Sequence, residues 1–197
     1  MKLPGVLTMA GAGCLLGALA WVVTSPGIGD QGWVPTGRGG DRSGASAPPA
    51  DVRIPGRDGA IPVVPIGVAE SGTLEPPEDV EDVGWWRGGA ALGDGAGTVV
   101  LAGHVDARQQ GVGSFAALWK VKPGQTVKVR AEDGPEITYR ITGTRVYPRT
   151  RALPASVFDP GGTPKLALIT CAGSFDAERG HYSDTLVVYA VPQPAKA

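Results

Sequence analysis

The chain has few of the residues that usually carry chemistry: two cysteines and two histidines in 197 residues. That is too few nitrogen and sulfur ligands for a zinc-type centre, and neither a metal nor a cofactor is implied. A dominant charge is also missing, since 18 Lys and Arg face 19 Asp and Glu for a net charge of -1. Such a balance argues against nucleic acid as the main partner. Gly 31 and Pro 18 leave little room for long helices and suit many short strands joined by turns.

Long apolar runs are scarce too, with one exception. Val6–Val23 carries no charge over eighteen residues, follows Lys2 and ends near Trp21. This is just long enough to cross a bilayer, and the preceding positive charge favours a cytoplasmic N-terminus. Residues 1–24 therefore read as a single-pass membrane anchor that leaves the rest of the chain outside the cell. A cleaved signal peptide is the alternative, because Ala18-Leu19-Ala20 resembles a cleavage site. Residues 25–52 are rich in Gly, Pro and Ser and read as a flexible tether in which Trp33 is exposed. Residues 53–192 form one folded domain, and 193–197 a tail.

The scarcity of cysteine is itself informative. Cys14 lies inside the apolar segment, so Cys171 is a lone thiol in an exported domain, a setting in which an inert thiol is an oxidation liability. It follows the apolar run Leu166-Ala167-Leu168-Ile169-Thr170, a short buried strand, and the pair Ala172-Gly173 ends that strand. The bland alternative is a cysteine packed as a small hydrophobe. Thr98–Ala102 reads as a second core strand that delivers His104 at its end, after Gly103.

Elsewhere, Ile61–Val68 is β-prone but broken by prolines, which suits a sheet edge or a bend. Pro76–Val80 reads as one helical turn, and Trp85-Trp86 as an aromatic pair in the core or on a ligand groove. Gly93–Thr98 has a glycine pattern but precedes a strand rather than opening a helix, which excludes a nucleotide loop. Val112–Trp119 reads as one short helix, Leu153–Phe158 as a loop or single turn, and Ser174–Ser183 as a polar loop. Gln125–Arg130 and Ile137–Ile141 alternate around Asp133-Gly134 as a hairpin, Thr144–Tyr147 continues it, and Thr185–Val191 is the last strand. About eight strands with short turns predict a closed all-β barrel with one or two short helices.

A thiol near a histidine and a guanidinium can do covalent acyl transfer. The thiolate attacks a carbonyl, the imidazole moves the proton of the leaving amine, and the cation steadies the oxyanion. His181 sits in a polar loop beside Arg179 and reads as structural. Leu101-Ala102-Gly103-His104-Val105-Asp106, Leu168-Ile169-Thr170-Cys171 with the following Gly-Ser-Phe-Asp, and Tyr182–Ala190 resemble the sortases, in particular the class F group of actinobacteria. The resemblance implies an eight-stranded barrel behind an N-terminal membrane anchor. It also implies Cys171 as nucleophile, His104 as general acid/base and an arginine at or just before the last strand. Ser183, Asp184 and Thr185 occupy that place here, so Arg179 is the candidate and Arg108 the reserve. The implied activity cleaves a Leu-Pro-x-Thr-Gly-like sorting signal on secreted proteins through a Cys thioester and passes the acyl group to a cell-wall amine. The alternatives are a catalytically inactive extracellular barrel that binds extended peptides, and a thiol peptidase that only hydrolyses.

Overall fold

The computed structural model describes residues 28–39, 46–70, 72–132 and 134–194. The anchor expected over 1–24 and the end of the tail lie outside them. Among the described residues no helix is long and apolar enough to cross a membrane.

The strands are β1 (Gln31–Gly32), β2 (Pro49–Arg53), β3 (Ile61–Ile66), β4 (Val83–Trp86), β5 (Thr98–Gly103), β6 (Asp106–Ala107), β7 (Gly111–Val112), β8 (Thr126–Ala131), β9 (Glu136–Pro148), β10 (Lys165–Asp176) and β11 (His181–Pro192). Two 3-10 turns, Ser114–Lys120 and Ala155–Val157, interrupt them. The sheet runs β1-β9-β11-β10-β5-β4-β3-β2-β8, and β8 pairs back onto β9. Eight strands thus close on themselves, with β1 added along β9. Closure leaves the barrel strands no open edge to aggregate through.

Local sequence explains most of this order. In β8, Val127, Val129 and Ala131 point inward while Thr126, Lys128 and Arg130 face water, the period of a half-buried strand. β5 is buried on both faces and pairs in parallel with β10, as continuous apolar runs do. β3 tolerates its prolines by dividing its pairing. Ile61 and Pro62 pair with β2, and Val63–Ile66 pair with β4. The interior is filled from every wall, by Val52, Leu101, Phe115, Leu118, Val129, Ile141, Leu168 and Leu186 among others.

A second apolar cluster covers the outside of the β5/β10/β11 wall. Ala102, Ala167, Ile169, Val187 and Tyr189 form its floor, and Val157, Leu153, Phe158, Leu74 and Trp86 pack onto it. Of the tryptophan pair, Trp85 donates to the Ala90 carbonyl at 3.1 Å, and Trp86 meets Phe158 edge-on at 5.3 Å.

Three expectations change. Much of the stretch read as a tether is folded onto the barrel: β2 is one of its eight strands, β1 pairs with β9, and Ala47 and Leu92 exchange backbone hydrogen bonds. Its polar backbone is satisfied by barrel partners, a gain that composition does not reveal. Trp33 is nonetheless exposed. Pro76–Val80 forms no helix; Ser114 binds it instead, its backbone N–H donating to Val80 O and its hydroxyl to Glu81 O. Ser174–Ser183 is mostly hairpin, because β10 runs on to Asp176 and β11 starts at His181.

Candidate active site

The barrel register brings the middle of β10 beside the end of β5. β10 and β5 run in parallel with Ile169 beside Ala102, and the Thr170 hydroxyl donates to the Gly103 carbonyl at 2.8 Å. One residue further stand Cys171, still within β10, and His104, just past the end of β5. The strand period puts Cys171 on the same face as Ala167 and Ile169, at the head of the outer apolar floor. The Trp119 indole N–H donates to the Cys171 carbonyl at 2.9 Å and fixes the backbone behind the thiol.

Cys171 is half-buried and free. Burial pushes its thiol above the ordinary range, the Arg149 guanidinium pulls it down by its charge and as a donor, and Asp106 adds to the upward push. The cation acting on the thiol is therefore Arg149. Arg179, the arginine expected from the resemblance, lies on the exposed turn of the β10–β11 hairpin and pairs with Asp176 at 3.3 Å. Arg108 forms no ion pair among the described residues.

Arg149 arrives from the end of β9, where its backbone N–H donates to Ser183 O at 2.9 Å. Thr185 of β11 pairs with both Tyr147 and Cys171, so β9 stands one strand beyond the place where the resemblance looks for an arginine. Sequence reading missed Arg149 because its link to Cys171 crosses an intervening strand. The only hint in the sequence is the absence of Arg at Ser183–Thr185.

His104 is held through both backbone and ring. Phe115 N–H donates to its carbonyl at 2.9 Å, and a Cβ on Gly113 would stand 2.4 Å from that same oxygen. The ring Nε2 lies 2.8 Å from Pro77 O, and since a carbonyl only accepts, Nε2 carries the hydrogen. Nδ1 is left for proton transfer. His181 turns its Nδ1 to Tyr182 O at 3.1 Å and is a hairpin residue.

Two further groups face the thiol. Asp106 accepts from the Tyr182 hydroxyl at 2.6 Å; the carboxylate raises the Cys171 thiol, and Cys171 in turn adds to the upward push on the Tyr182 phenol. Burial, then the Asp106 carboxylate, drives the Tyr182 phenol well above its ordinary range. Asp106 was visible only as part of the Gly-His-Val-Asp run. Among the described residues no cluster of His, Cys, Asp and Glu could hold a metal ion.

A family profile described as the sortase domain matches residues 52–193. Solved structures share the fold. Sortase C-1 of Actinomyces oris has a TM-score of 0.56 and 23% identity over 73% of each chain. A lid mutant of sortase A from Corynebacterium diphtheriae has a TM-score of 0.56 and 20% identity over 78% of this chain and 74% of that one. Sortase C1 of Streptococcus suis has a TM-score of 0.55 and 22% identity over 77% and 76%. No curated protein sequence gives a significant match. A closed eight-stranded barrel that displays a half-buried thiol beside His104, matched by this profile over most of its length, belongs to the sortase family of cysteine transpeptidases.

Proposed function

We propose that Cys171 is the nucleophile, His104 the general acid/base and Arg149 the oxyanion and thiolate partner of a transpeptidase for Leu-Pro-x-Thr-Gly-like signals. The observation that carries this is the register that sets Cys171 beside His104 while Arg149 acts on the thiol. A thiol raised by burial needs a cation to form thiolate at neutral pH, and Arg149 supplies it. The thiolate attacks the Thr carbonyl, and the imidazolium of His104 gives its Nδ1 proton to the leaving glycyl amine. A primary amine then resolves the thioester.

The His-Val-Asp and Thr-Cys motifs fit the class F type, although the arginine comes from another strand. The charge-free Val6–Val23 segment supports a membrane anchor that holds the domain outside the cell, where secreted proteins and cell-wall amines are its partners.

The test is mass spectrometry of the protein with a Leu-Pro-x-Thr-Gly peptide and an amine. An adduct of the cleaved peptide on Cys171, chased by the amine into a new amide, is expected and should vanish in Cys171→Ala. Release only as free acid would make the protein a peptidase. No adduct, with Cys171 inert to alkylation, would leave a peptide-binding barrel.

A further inference from the structure

The thioester proposed above leaves open which amine resolves it, and the surface beside Cys171 bears on that choice. Asp106 and Val112 are direct partners in the small β6–β7 hairpin, so their side chains share a face. Oδ2 of Asp106 takes the Tyr182 hydroxyl, while Oδ1 has no hydrogen-bond partner and the carboxylate no ion pair among the described residues. Tyr182 is flanked by Phe175 at 5.2 Å and Trp119 at 6.0 Å, both near edge-on. Two of the few exposed large hydrophobics among the described residues sit here, Val112 at 71% and Phe175 at 51%. An unpaired carboxylate, aromatic rings and exposed apolar surface thus meet next to the thiol.

We infer that this face, Asp106 with Tyr182, Phe175 and Val112, docks the acyl acceptor and selects a primary amine carried on an aliphatic stem, of the lysine side-chain kind. The carboxylate and the ring faces attract an ammonium. The stem covers the apolar surface that a short glycyl amine would leave wet. Neutral and anionic nucleophiles gain nothing from Asp106. As the ammonium approaches, it loses one proton to solvent by way of Asp106 Oδ1. Its nitrogen then attacks the thioester carbonyl, the C–N bond forms and the C–S bond breaks. The second proton goes to the His104 imidazole, which restores the thiolate–imidazolium pair.

This inference rests on Cys171 carrying the acyl group, so the experiment reads the two half-reactions separately. Acyl-enzyme made with a Leu-Pro-x-Thr-Gly peptide is quantified by mass, then chased with Nα-acetyl-lysine amide or with glycine amide. The lysine derivative should give about tenfold higher kcat/KM, and Asp106→Asn should reduce that preference to about twofold. Faster acylation is expected of Asp106→Asn either way, because Asp106 raises the thiol; a merely electrostatic role would leave the lysine preference intact and overturn the inference. Normal acylation with equal use of both amines overturns the inference and spares the proposed function. Failure of acylation overturns the proposed function. In that case, docking is read alone from the Phe175 and Tyr182 ring resonances. Shifts with Nα-acetyl-lysine amide but not glycine amide support the inference, and equal or absent shifts sink it.

Discussion

Cys171 is pulled in two directions, and the balance is measurable. Burial and Asp106 raise its thiol while Arg149 lowers it, leaving it above an ordinary value of about 8.5. The reactive thiolate is therefore a minor species at pH 7, and its fraction grows with pH up to the raised value. The rate of iodoacetamide labelling should climb through a midpoint above about 8.5 in the wild type. Arg149→Ala removes the lowering cation, so the midpoint should move to still higher pH. Labelling at pH 7 should then fall about tenfold for every whole pH step that the midpoint climbs. Asp106→Asn should move it down. Arg179→Ala should leave the profile in place, because that side chain is exposed and engages Asp176. A profile displaced by Arg179→Ala and not by Arg149→Ala would reverse the assignment. At this scale the sequence is readable where a residue's position follows from its own strand, as for Cys171 within β10 and His104 just past β5. It is opaque for Arg149, whose neighbour is set by β9–β11–β10 register and lies 22 positions away along the chain.

Among the elements, the β10–β11 hairpin connects nucleophile and acceptor face. Gly173 has φ +81, and the pairing register slips between Ala172 and Phe175. A bulge at this place bends the strand just after Cys171 and turns Phe175 towards Tyr182. A Cβ at Gly173 would come within 2.2 Å of both the Ser183 hydroxyl and the Asp184 carboxylate. Gly173→Ala thus combines an unfavourable φ with a clash and should cost at least 1–2 kcal/mol, roughly, in thermal unfolding. Acylation should slow as well, since the bulge sets the Cys171 end of β10. Trp119→Phe is the milder change. It removes the indole N–H from Cys171 O and should cost about 1 kcal/mol. A Gly173→Ala protein as stable and active as the wild type would show that the bulge does not hold the site. The polarity of Ser174–Ser183 reads as loop because bulged, solvent-facing pairing carries no apolar alternation. The 3-10 turn at Ser114–Lys120, by contrast, was legible from its closely spaced Phe115, Leu118 and Trp119.

For the molecule as a whole, the barrel is closed by residues whose composition suggests a linker. β2 bridges β3 and β8, and without it both would present an open edge. Upstream, β1 is fastened by side-chain hydrogen bonds as well as by Ile28 and Val34, which pack against the two apolar clusters. Asp30 accepts from Val146 N–H at 2.9 Å, the Thr144 hydroxyl donates to Gly29 O at 2.8 Å, and Arg145 donates to Gln31 O at 2.8 Å and to Gly32 O at 3.0 Å. Such polar stitching is invisible to hydropathy, whereas the barrel strands were legible because their burial follows a period of two or a continuous apolar run. Four hydrogen bonds at about 1 kcal/mol each, less the entropy of ordering the segment, make β1 worth a few kcal/mol. A chain starting at residue 46 should therefore fold but melt roughly 5–10 °C below one starting at residue 28. A chain starting at residue 54 lacks β2 altogether and should lose its cooperative transition and aggregate. If that chain melted as sharply and as high as the one from residue 28, the barrel would close without β2, and residues 28–53 would be a tether after all.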